Sequence, residues 1–292
     1  MITRQPFTIP LPGRAPLVLG ERTLVMGVIN VTPDSFADGG LRFDPARAID
    51  DGWKMLEDGA DILDIGGEST RPGSEPLEAG EELRRVLPVI AALGSRAVVS
   101  VDTYRASVAR EAVARGAAII NDISALRYDP ALGAVAAESG AAVVLMHNRG
   151  RSRDMYKEAT YEDVAAEVAA ELSTAIAAAE EAGIKRDAII LDPGLGFAKK
   201  ARHSYEALAS LERLSSLGRP VLSGPSRKSF LKLALGDVPP SEREWGTAAA
   251  VAASVLLGAH IVRVHGVREM VQVVRVSDRV LAAAGRTPPR AV

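Results

Sequence analysis

Eight short apolar runs alternate with longer segments of helical spacing along this chain, and this alternation constrains the fold more than any other feature. Each run is almost continuously apolar, whereas a half-exposed strand alternates apolar and polar residues. We therefore predict strands that are buried on both faces, as in a parallel sheet. The runs are 24–31, 61–65, 97–101, 117–120, 141–146, 188–191, 220–222 and 260–264.

The segments between the runs have the periodicity of helices, most clearly at 45–58, 81–93, 104–115, 161–182 and 247–257. Eight strand–helix units without a clear linker predict a single-domain α/β fold, a closed (β/α)8 TIM barrel, which typically takes about 250 residues. The alternative is an open doubly wound sheet. An open sheet of this kind would require a glycine-rich, phosphate-binding turn after an early strand, and residues 30–36 do not have the sequence of such a turn. Several helical segments end at a glycine that would relieve a left-handed cap: Gly59, Gly94, Gly116, Gly140, Gly183 and Gly258.

Composition places this barrel in an ordinary globular protein of 292 residues. Residues 1–20 form an N-terminal extension, 21–285 the barrel and 286–292 a flexible tail. The net charge of -2 gives no general attraction to nucleic acid or to an anionic membrane. The chain has no cysteine, no signal-peptide pattern and no apolar stretch of about 20 residues that could span a membrane. We expect a cytoplasmic protein.

Polar residues follow the runs, and in a barrel they would converge on the rim that carries the active site. Loops are polar in general, which accounts for about half of these residues. It does not account for Asp102, Asn121, Asp192 and Arg263, which sit inside or directly at the end of apolar runs. Burial of such groups is costly unless they are paired. Together with Lys228, they indicate a polar ligand with several donors and acceptors.

The charges of the predicted rim divide into two kinds. Arg71, Arg263 and His265 are suited to a phosphate-like anion. The acids and amide Asp102, Asn121 and Asp192 could bind the N–H edge of a heterocycle. The pattern therefore predicts a site that binds a ring at one end and an anion at the other.

Eight motifs, one for each predicted strand, lie at 26–40, 64–73, 100–103, 120–123, 145–147, 191–197, 226–229 and 263–265. A single motif could arise by chance, but the ordered set is highly specific. In this order and over almost the whole chain, the motifs resemble those of the dihydropteroate synthases.

The resemblance implies a transferase of folate synthesis that is a homodimer, with a TIM barrel fold and Mg²⁺ as its cofactor. The implied substrates are p-aminobenzoate and 6-hydroxymethyl-7,8-dihydropterin diphosphate, and sulfonamides would compete with p-aminobenzoate. The implied chemistry is a dissociative loss of diphosphate followed by attack of the aniline nitrogen.

The resemblance also implies roles for individual residues. The implied catalytic residues are Asp102, Asn30, Lys228, Arg263 and His265. The implied pterin contacts are Asp102, Asn121, Met146, Asp192, Phe197, Lys228 and Arg263. The diphosphate contacts are Asn30, Arg71, Arg263 and His265, with Asn30 also on the Mg²⁺ ion. The p-aminobenzoate contacts are Phe36, Thr70, Pro72, Phe197 and Ser229.

Some motif residues are better interpreted as structural than as chemical. His147 and Arg227 are expected to be structural, Glu68 and Asp34 to order their loops, and His203 to lie near a helix start. The chain also departs from the family pattern, where glycine is common at position 198, asparagine at 204 and a small residue at 225. This chain has Ala198, Ser204 and Pro225 at these positions. The motif of the fifth predicted strand also continues with a less common pair, Asn148 and Arg149.

Two other functions share parts of this pattern. A pterin-binding methyltransferase would share the barrel and the Asp and Asn contacts, but would not need the motif at 226–229 or the loop at 70–72. A non-catalytic pterin-binding paralogue would be expected to lose loop residues that are intact here.

Overall fold

In a computed structural model, residues 3–32, 45–69, 74, 76–151, 155–157 and 159–287 are described. An antiparallel hairpin comes first, formed by β1 (Phe7–Ile9) and β2 (Leu17–Leu19). Eight parallel strands follow, one from each predicted run, and they are β3 (Leu24–Asn30), β4 (Ile62–Gly66), β5 (Val98–Asp102), β6 (Ala117–Asp122), β7 (Ala142–Met146), β8 (Ile189–Asp192), β9 (Leu222–Ser223) and β10 (Ile261–Val264).

The eight strands close into a barrel, which confirms the predicted fold. Their order is β8-β7-β6-β5-β4-β3-β10-β9. A parallel bridge between Leu191 and Val221 joins the two ends of this order. The described helices are α1 (Pro45–Glu57), α2 (Ala79–Leu93), α3 (Ala106–Ala114), α4 (Ala131–Ser139), α5 (Val164–Glu181), α6 (Ala201–Ala209), α7 (Lys232–Leu235), α8 (Glu244–Leu256) and α9 (Val267–Ala283).

The apolar residues form two cores, because each strand is buried on both faces. The larger core lies between the sheet and the helices. The smaller core fills the barrel interior away from the polar strand ends, and Ile9, Leu11 and Leu19 of the N-terminal segment pack into it. The N-terminal segment thus covers the end of the barrel at which the parallel strands begin, which we call the lower end. The barrel residues that it covers are Leu24, Met26, Ile62, Ala118, Ile119, Ala142, Val144, Ile190, Leu222 and Ile261.

The first and last described segments of the chain meet beside this core. The backbone N–H of Arg4 donates to the carbonyl of Arg286 at 3.0 Å, and Arg4 Nη1 donates to Asp278 Oδ1 at 3.0 Å. The guanidinium of Arg4 is buried, and this burial lowers its pKa although Asp278 opposes the shift. Among the residues that the structure describes, no helix has both the length and the apolar character to cross a membrane.

Five of the six predicted glycine caps have the positive φ that an L-residue avoids. The sixth prediction was wrong, because Gly94 has a right-handed φ of -63°. Glycine is required there by close packing. A Cβ on Gly94 would lie 2.7 Å from the carbonyl oxygen of Ile90 and 3.2 Å from that of Arg115.

Candidate active site

Four strands contribute the polar side chains of a hydrogen-bonded cluster inside the barrel mouth. Arg263 on β10 donates through Nε to Asp64 Oδ2 at 2.6 Å and through Nη2 to Asp102 Oδ2 at 2.8 Å. Asn121 on β6 donates through Nδ2 to the same Asp64 oxygen at 2.9 Å. The side chains come together because the C-terminal halves of parallel strands share one edge. Three of the four residues are predicted pterin contacts.

Asp64 is the member of this cluster that the sequence analysis missed. It lies in the middle of β4, is fully buried, and its Oδ1 has no hydrogen-bond partner within the described part of the chain. The available signal was a carboxylate within an otherwise apolar run, which is costly to bury unless it is paired. In the sequence, Asp64 opens the motif at 64–73 and carries no predicted contact of its own.

The cluster shifts the ionisation of its members. Burial raises the pKa of Asp102 to about 7; Arg263 opposes this shift, and the nearby carboxyl of Asp64 adds to it. Burial lowers the pKa of Arg263, but the ion pairs with Asp64 and Asp102 outweigh it, so the pKa of Arg263 is raised. Arg263 therefore stays charged, whereas Asp102 titrates near neutral pH.

A second group adjoins this cluster, formed by Asp192, Lys228 and Phe197. Asp192 ends β8 and is buried, and its Oδ1 accepts the backbone N–H of Gly194 at 2.7 Å. Burial lowers the pKa of Lys228 to about 8, opposed by the charge of Asp192. The ammonium of Lys228 lies 4.6 Å from the ring centroid of Phe197. Buried Met146 on β7 is the register partner of Asp192.

The predicted diphosphate residues Asn30 and His265 line a separate cavity of about 250 Å³ between the ends of β3 and β10 and helix α1. Ser226 Oγ lies 2.9 Å from His265 Nδ1 and accepts the backbone N–H of His265 at 3.2 Å. Ser226 therefore fixes the orientation of the imidazole at the cavity wall.

Arg227 also lines this cavity, in addition to the structural role that we expected for it. Its φ of 56° is unusual for a residue other than glycine. Thr247 Oγ1 accepts its backbone N–H at 3.0 Å, and Arg243 Nη1 donates to its carbonyl at 2.9 Å. Its Nε donates to Glu244 Oε2 at 2.8 Å. The strained backbone of the 226–229 motif is thus held by side chains of α8 and of Arg243, the residue that precedes this helix.

The loop after β8 explains two of the departures from the family pattern. Ala198 has a φ of 45°, a left-handed conformation that glycine would adopt more easily. Ser204 Oγ accepts the backbone N–H of Gly196 at 3.1 Å, so serine stabilises the loop from position 204. Gly194 is indispensable to this loop, because a Cβ there would lie 1.9 Å from the carbonyl oxygen of His147.

The predicted p-aminobenzoate residues are only partly described. Ser229 is exposed, and its Oγ lies 3.4 Å from the hydroxyl of Tyr156. Tyr156 also approaches the carbonyl of Gly196 at 3.5 Å, so it bridges the two loops that carry Ser229 and Phe197. The sequence analysis missed Tyr156 because it lies in no motif. Four predicted residues, Phe36, Thr70, Arg71 and Pro72, and also Asp34, lie outside the described residues.

The expected structural residues occupy positions consistent with that interpretation. Buried His147 contacts Glu171 and Lys199. Glu68 accepts hydrogen bonds from the side chains of Tyr104 and Arg105 and from the backbone N–H of Leu77. It thereby anchors the segment that follows β4. His203 lies in the first turn of α6, as expected.

The donor set near Asn30 fits a magnesium ion that arrives with a phosphate group. Within the described ranges, no cluster of three or more His, Cys, Asp or Glu side chains could hold a metal by itself. Mg²⁺ is commonly held by one or two protein oxygens, with substrate phosphates and water completing an octahedron. The side chain of Asn30 offers an amide oxygen of this kind, and Asp51 lines the same cavity.

Comparison with known proteins gives one family. The model of the pterin binding enzymes matches residues 26–265. The dihydropteroate synthase of Synechocystis is 44% identical over 275 residues, which cover 93% of this chain and 95% of that protein. The Xanthomonas albilineans dihydropteroate synthase with 4-aminobenzoic acid has a TM-score of 0.87 at 43% identity and covers 95% of this chain and 99% of its own. A Yersinia pestis dihydropteroate synthase with a sulfonamide drug has a TM-score of 0.88 at 39% identity, covering 94% and 100%.

Proposed function

This chain belongs to the family of pterin binding enzymes, and we infer that it is a dihydropteroate synthase. It condenses p-aminobenzoate with 6-hydroxymethyl-7,8-dihydropterin diphosphate to give 7,8-dihydropteroate and diphosphate. The observation that carries this function is a cluster of four polar side chains beside the cavity that Asn30 and His265 line. The cluster consists of Asp64, Asp102, Asn121 and Arg263. One part offers acceptors and donors to a heterocycle, and the other offers an amide and an imidazole to a diphosphate.

The pterin is held by the polar cluster and by the group beside it. Asp102, Asn121 and Asp192 face its N–H and carbonyl edge, Lys228 donates to it, and Met146 lines the pocket. Arg263 stacks on the ring. Its Nε and Nη2 donate to the two carboxylates, so Nη1 is the nitrogen that donates to the diphosphate in this proposal.

Loss of diphosphate is the first chemical step of the proposed mechanism. The C–O bond between the pterin methylene and the diphosphate breaks, and the electron pair leaves with the diphosphate. The cation that remains is delocalised into the dihydropterin ring, where the carboxylates of Asp64 and Asp102 stabilise it. Asn30, Arg71, Arg263 and His265 bind the negative charge of the leaving group.

Attack by p-aminobenzoate completes the reaction. The aniline nitrogen forms the C–N bond to the methylene and then releases one proton to solvent. This nitrogen is a weak base that is unprotonated at neutral pH, so the step needs positioning more than a general base. Phe36, Thr70, Pro72, Phe197 and Ser229 surround the aniline in this proposal.

Mg²⁺ is proposed as the cofactor, held by Asn30 and by oxygens of the substrate diphosphate. When bound, the ion supplies positive charge that stabilises the leaving group. Asn30 and His265 orient the diphosphate toward the cavity at the ends of β3 and β10.

Further proposals concern the context of the enzyme. We propose a cytoplasmic homodimer whose p-aminobenzoate site is also the target of sulfonamides. Support for the dimer comes from large apolar side chains that are exposed on α7, α8 and α9, namely Leu233, Trp245, Val276 and Val280. Exposed apolar surface of this kind is typical of an interface.

Product analysis tests the function directly. The purified protein, Mg²⁺ and both substrates are expected to give 7,8-dihydropteroate by mass spectrometry, in equimolar amount to diphosphate. Binding of the pterin without any 7,8-dihydropteroate would favour the non-catalytic paralogue.

A further inference from the structure

We propose that Lys199 is a positioning residue that holds the loop after β8, and with it Phe197, in the conformation that binds p-aminobenzoate. This inference rests on the proposed function and deepens it, because the loop carries Phe197 next to Asp192. Lys199 lies outside every substrate contact assigned above.

Lys199 is buried to an unusual degree for a lysine, with only 1% of its surface exposed. Its Nζ donates to the carbonyl of Gly194 at 3.2 Å and to the carbonyl of Phe197 at 3.2 Å. The ammonium therefore joins the two ends of the turn formed by residues 194–197. A buried ammonium is costly, and burial lowers the pKa of Lys199 to about 7. Apolar packing alone would be served better by leucine or methionine.

The third contact of Lys199 connects this loop to the neighbouring strand. Nζ lies 2.7 Å from Nδ1 of His147, and Nε2 of His147 lies 3.1 Å from Glu171 Oε2 on α5. A charged lysine makes Nδ1 the acceptor, which assigns the imidazole proton to Nε2 and to the bond with Glu171. Burial lowers the pKa of His147 to about 4, with the nearby charge of Lys199 adding to this shift, so the imidazole is neutral as this arrangement requires.

The anchored loop determines where the ring of Phe197 lies. Because Lys199 fixes the carbonyl of Phe197, it restrains the backbone from which that ring projects toward the ammonium of Lys228. Tyr161 donates to the next carbonyl, that of Ala198, at 2.9 Å and supports the loop on its other side. Loss of Lys199 would release the ring while the strand ends that hold the pterin stay in place.

Three single variants test this role, with Lys199→Met as the first. We expect its KM for p-aminobenzoate to rise about tenfold. Its Kd for the pterin diphosphate by calorimetry should change by less than about threefold, because the proposed pterin contacts other than Phe197 lie outside this loop. Lys200→Met is the matched control, since Lys200 is the exposed lysine next in the chain and should leave both values unchanged. Lys199→Gln keeps a hydrogen-bond donor and should give an intermediate KM; it also replaces the methionine variant if that one fails to fold.

A double-mutant cycle with Phe197→Ala distinguishes positioning from general destabilisation. If Lys199 acts through Phe197, adding Lys199→Met to Phe197→Ala should raise the KM by less than about twofold. Multiplicative effects, or an unchanged KM in both Lys199 variants, would overturn the inference. Product formation by the wild-type enzyme distinguishes failure of the proposed role of Lys199 from failure of the proposed function. Active wild-type enzyme with unaffected variants refutes only the role of Lys199, whereas inactive wild-type enzyme refutes the proposed function as well.

Discussion

Asp64 links two functional side chains, because its Oδ2 accepts hydrogen bonds from both Asn121 and Arg263. Replacement by asparagine keeps the volume but removes the charge that aligns the guanidinium. We expect Asp64→Asn to lower kcat/KM by about thirtyfold, which corresponds to about 2 kcal/mol of transition-state stabilisation. Steady-state kinetics with both substrates measures this loss.

Ser100 provides a matched control for that substitution. It is the register partner of Asp64 on β5 and is equally buried, but its Oγ has no hydrogen-bond partner within the residues described. Ser100→Ala should therefore keep the wild-type kcat/KM. Equal activity of Asp64→Asn and Ser100→Ala would show that Asp64 does not organise the site.

The two shifted groups of the pocket predict a bell-shaped pH dependence of kcat/KM. In the proposed mechanism, ionised Asp102 pairs with Arg263 and stabilises the cation, so activity should fall as the pH drops below about 7. Charged Lys228 donates to the pterin in the same proposal, so activity should also fall as the pH rises above about 8. A profile of kcat/KM from pH 5.5 to about pH 10 measures both limbs.

Lys228→Arg tests the assignment of the alkaline limb. Arginine stays charged throughout this range, so the residual activity of the variant should no longer fall above about pH 8. An alkaline limb that is unchanged in this variant would assign the limb to another group.

The residues that the sequence predicted, and those it missed, differ in where they lie along the chain. Asp102, Asn121 and Asp192 end apolar runs, so the barrel topology alone brings them to one rim. Asp64 lies within a run, and its role depends on contacts with two other strands. Lys199 looks like a surface lysine in the sequence, because only the folded loop shows that its ammonium points inward.

At the scale of elements, the N-terminal hairpin contributes to stability by covering the lower end of the barrel. Ile9 on β1 is fully buried among the strands. We expect Ile9→Ala to lower the free energy of unfolding by about 3 kcal/mol, from lost burial and from the cavity left behind. Urea unfolding followed by circular dichroism measures the change.

Val18 on β2 serves as the internal control for the hairpin. It is 58% exposed, so Val18→Ala should change the free energy of unfolding by less than about 0.5 kcal/mol. If both alanine variants were equally stable, the hairpin would be an appendage and not part of the core.

The barrel strands were predictable from the sequence, whereas the hairpin was not. Each barrel strand is buried on both faces, and burial of that kind leaves a continuous apolar run. The hairpin strands have only three residues each, with one buried residue apiece. Such strands leave no pattern that stands out from a proline-containing extension. Gly94 illustrates the same limit, since its need for glycine comes from the approach of the chain at Arg115 and Gly116.

At the scale of the whole molecule, the exposed apolar residues of α8 and α9 predict association. Trp245 is 88% exposed at the start of α8, which packs against α9. We expect sedimentation at twice the 30.7 kDa of the chain, and a shift to monomer in Trp245→Glu. Val18→Glu adds the same charge to an exposed residue at the other end of the barrel and should remain dimeric. A monomeric wild-type protein would contradict the proposal.

The dependence of diphosphate release on p-aminobenzoate tests the proposed synthase reaction most directly. A coupled assay with Mg²⁺ and the pterin diphosphate should give rapid release only when p-aminobenzoate is present. Lys228→Ala should lose most of this activity, because it removes the charge beside Asp192 and Phe197 that is proposed to hold the pterin. Release that does not depend on p-aminobenzoate, or that is unchanged in Lys228→Ala, would contradict the proposed function.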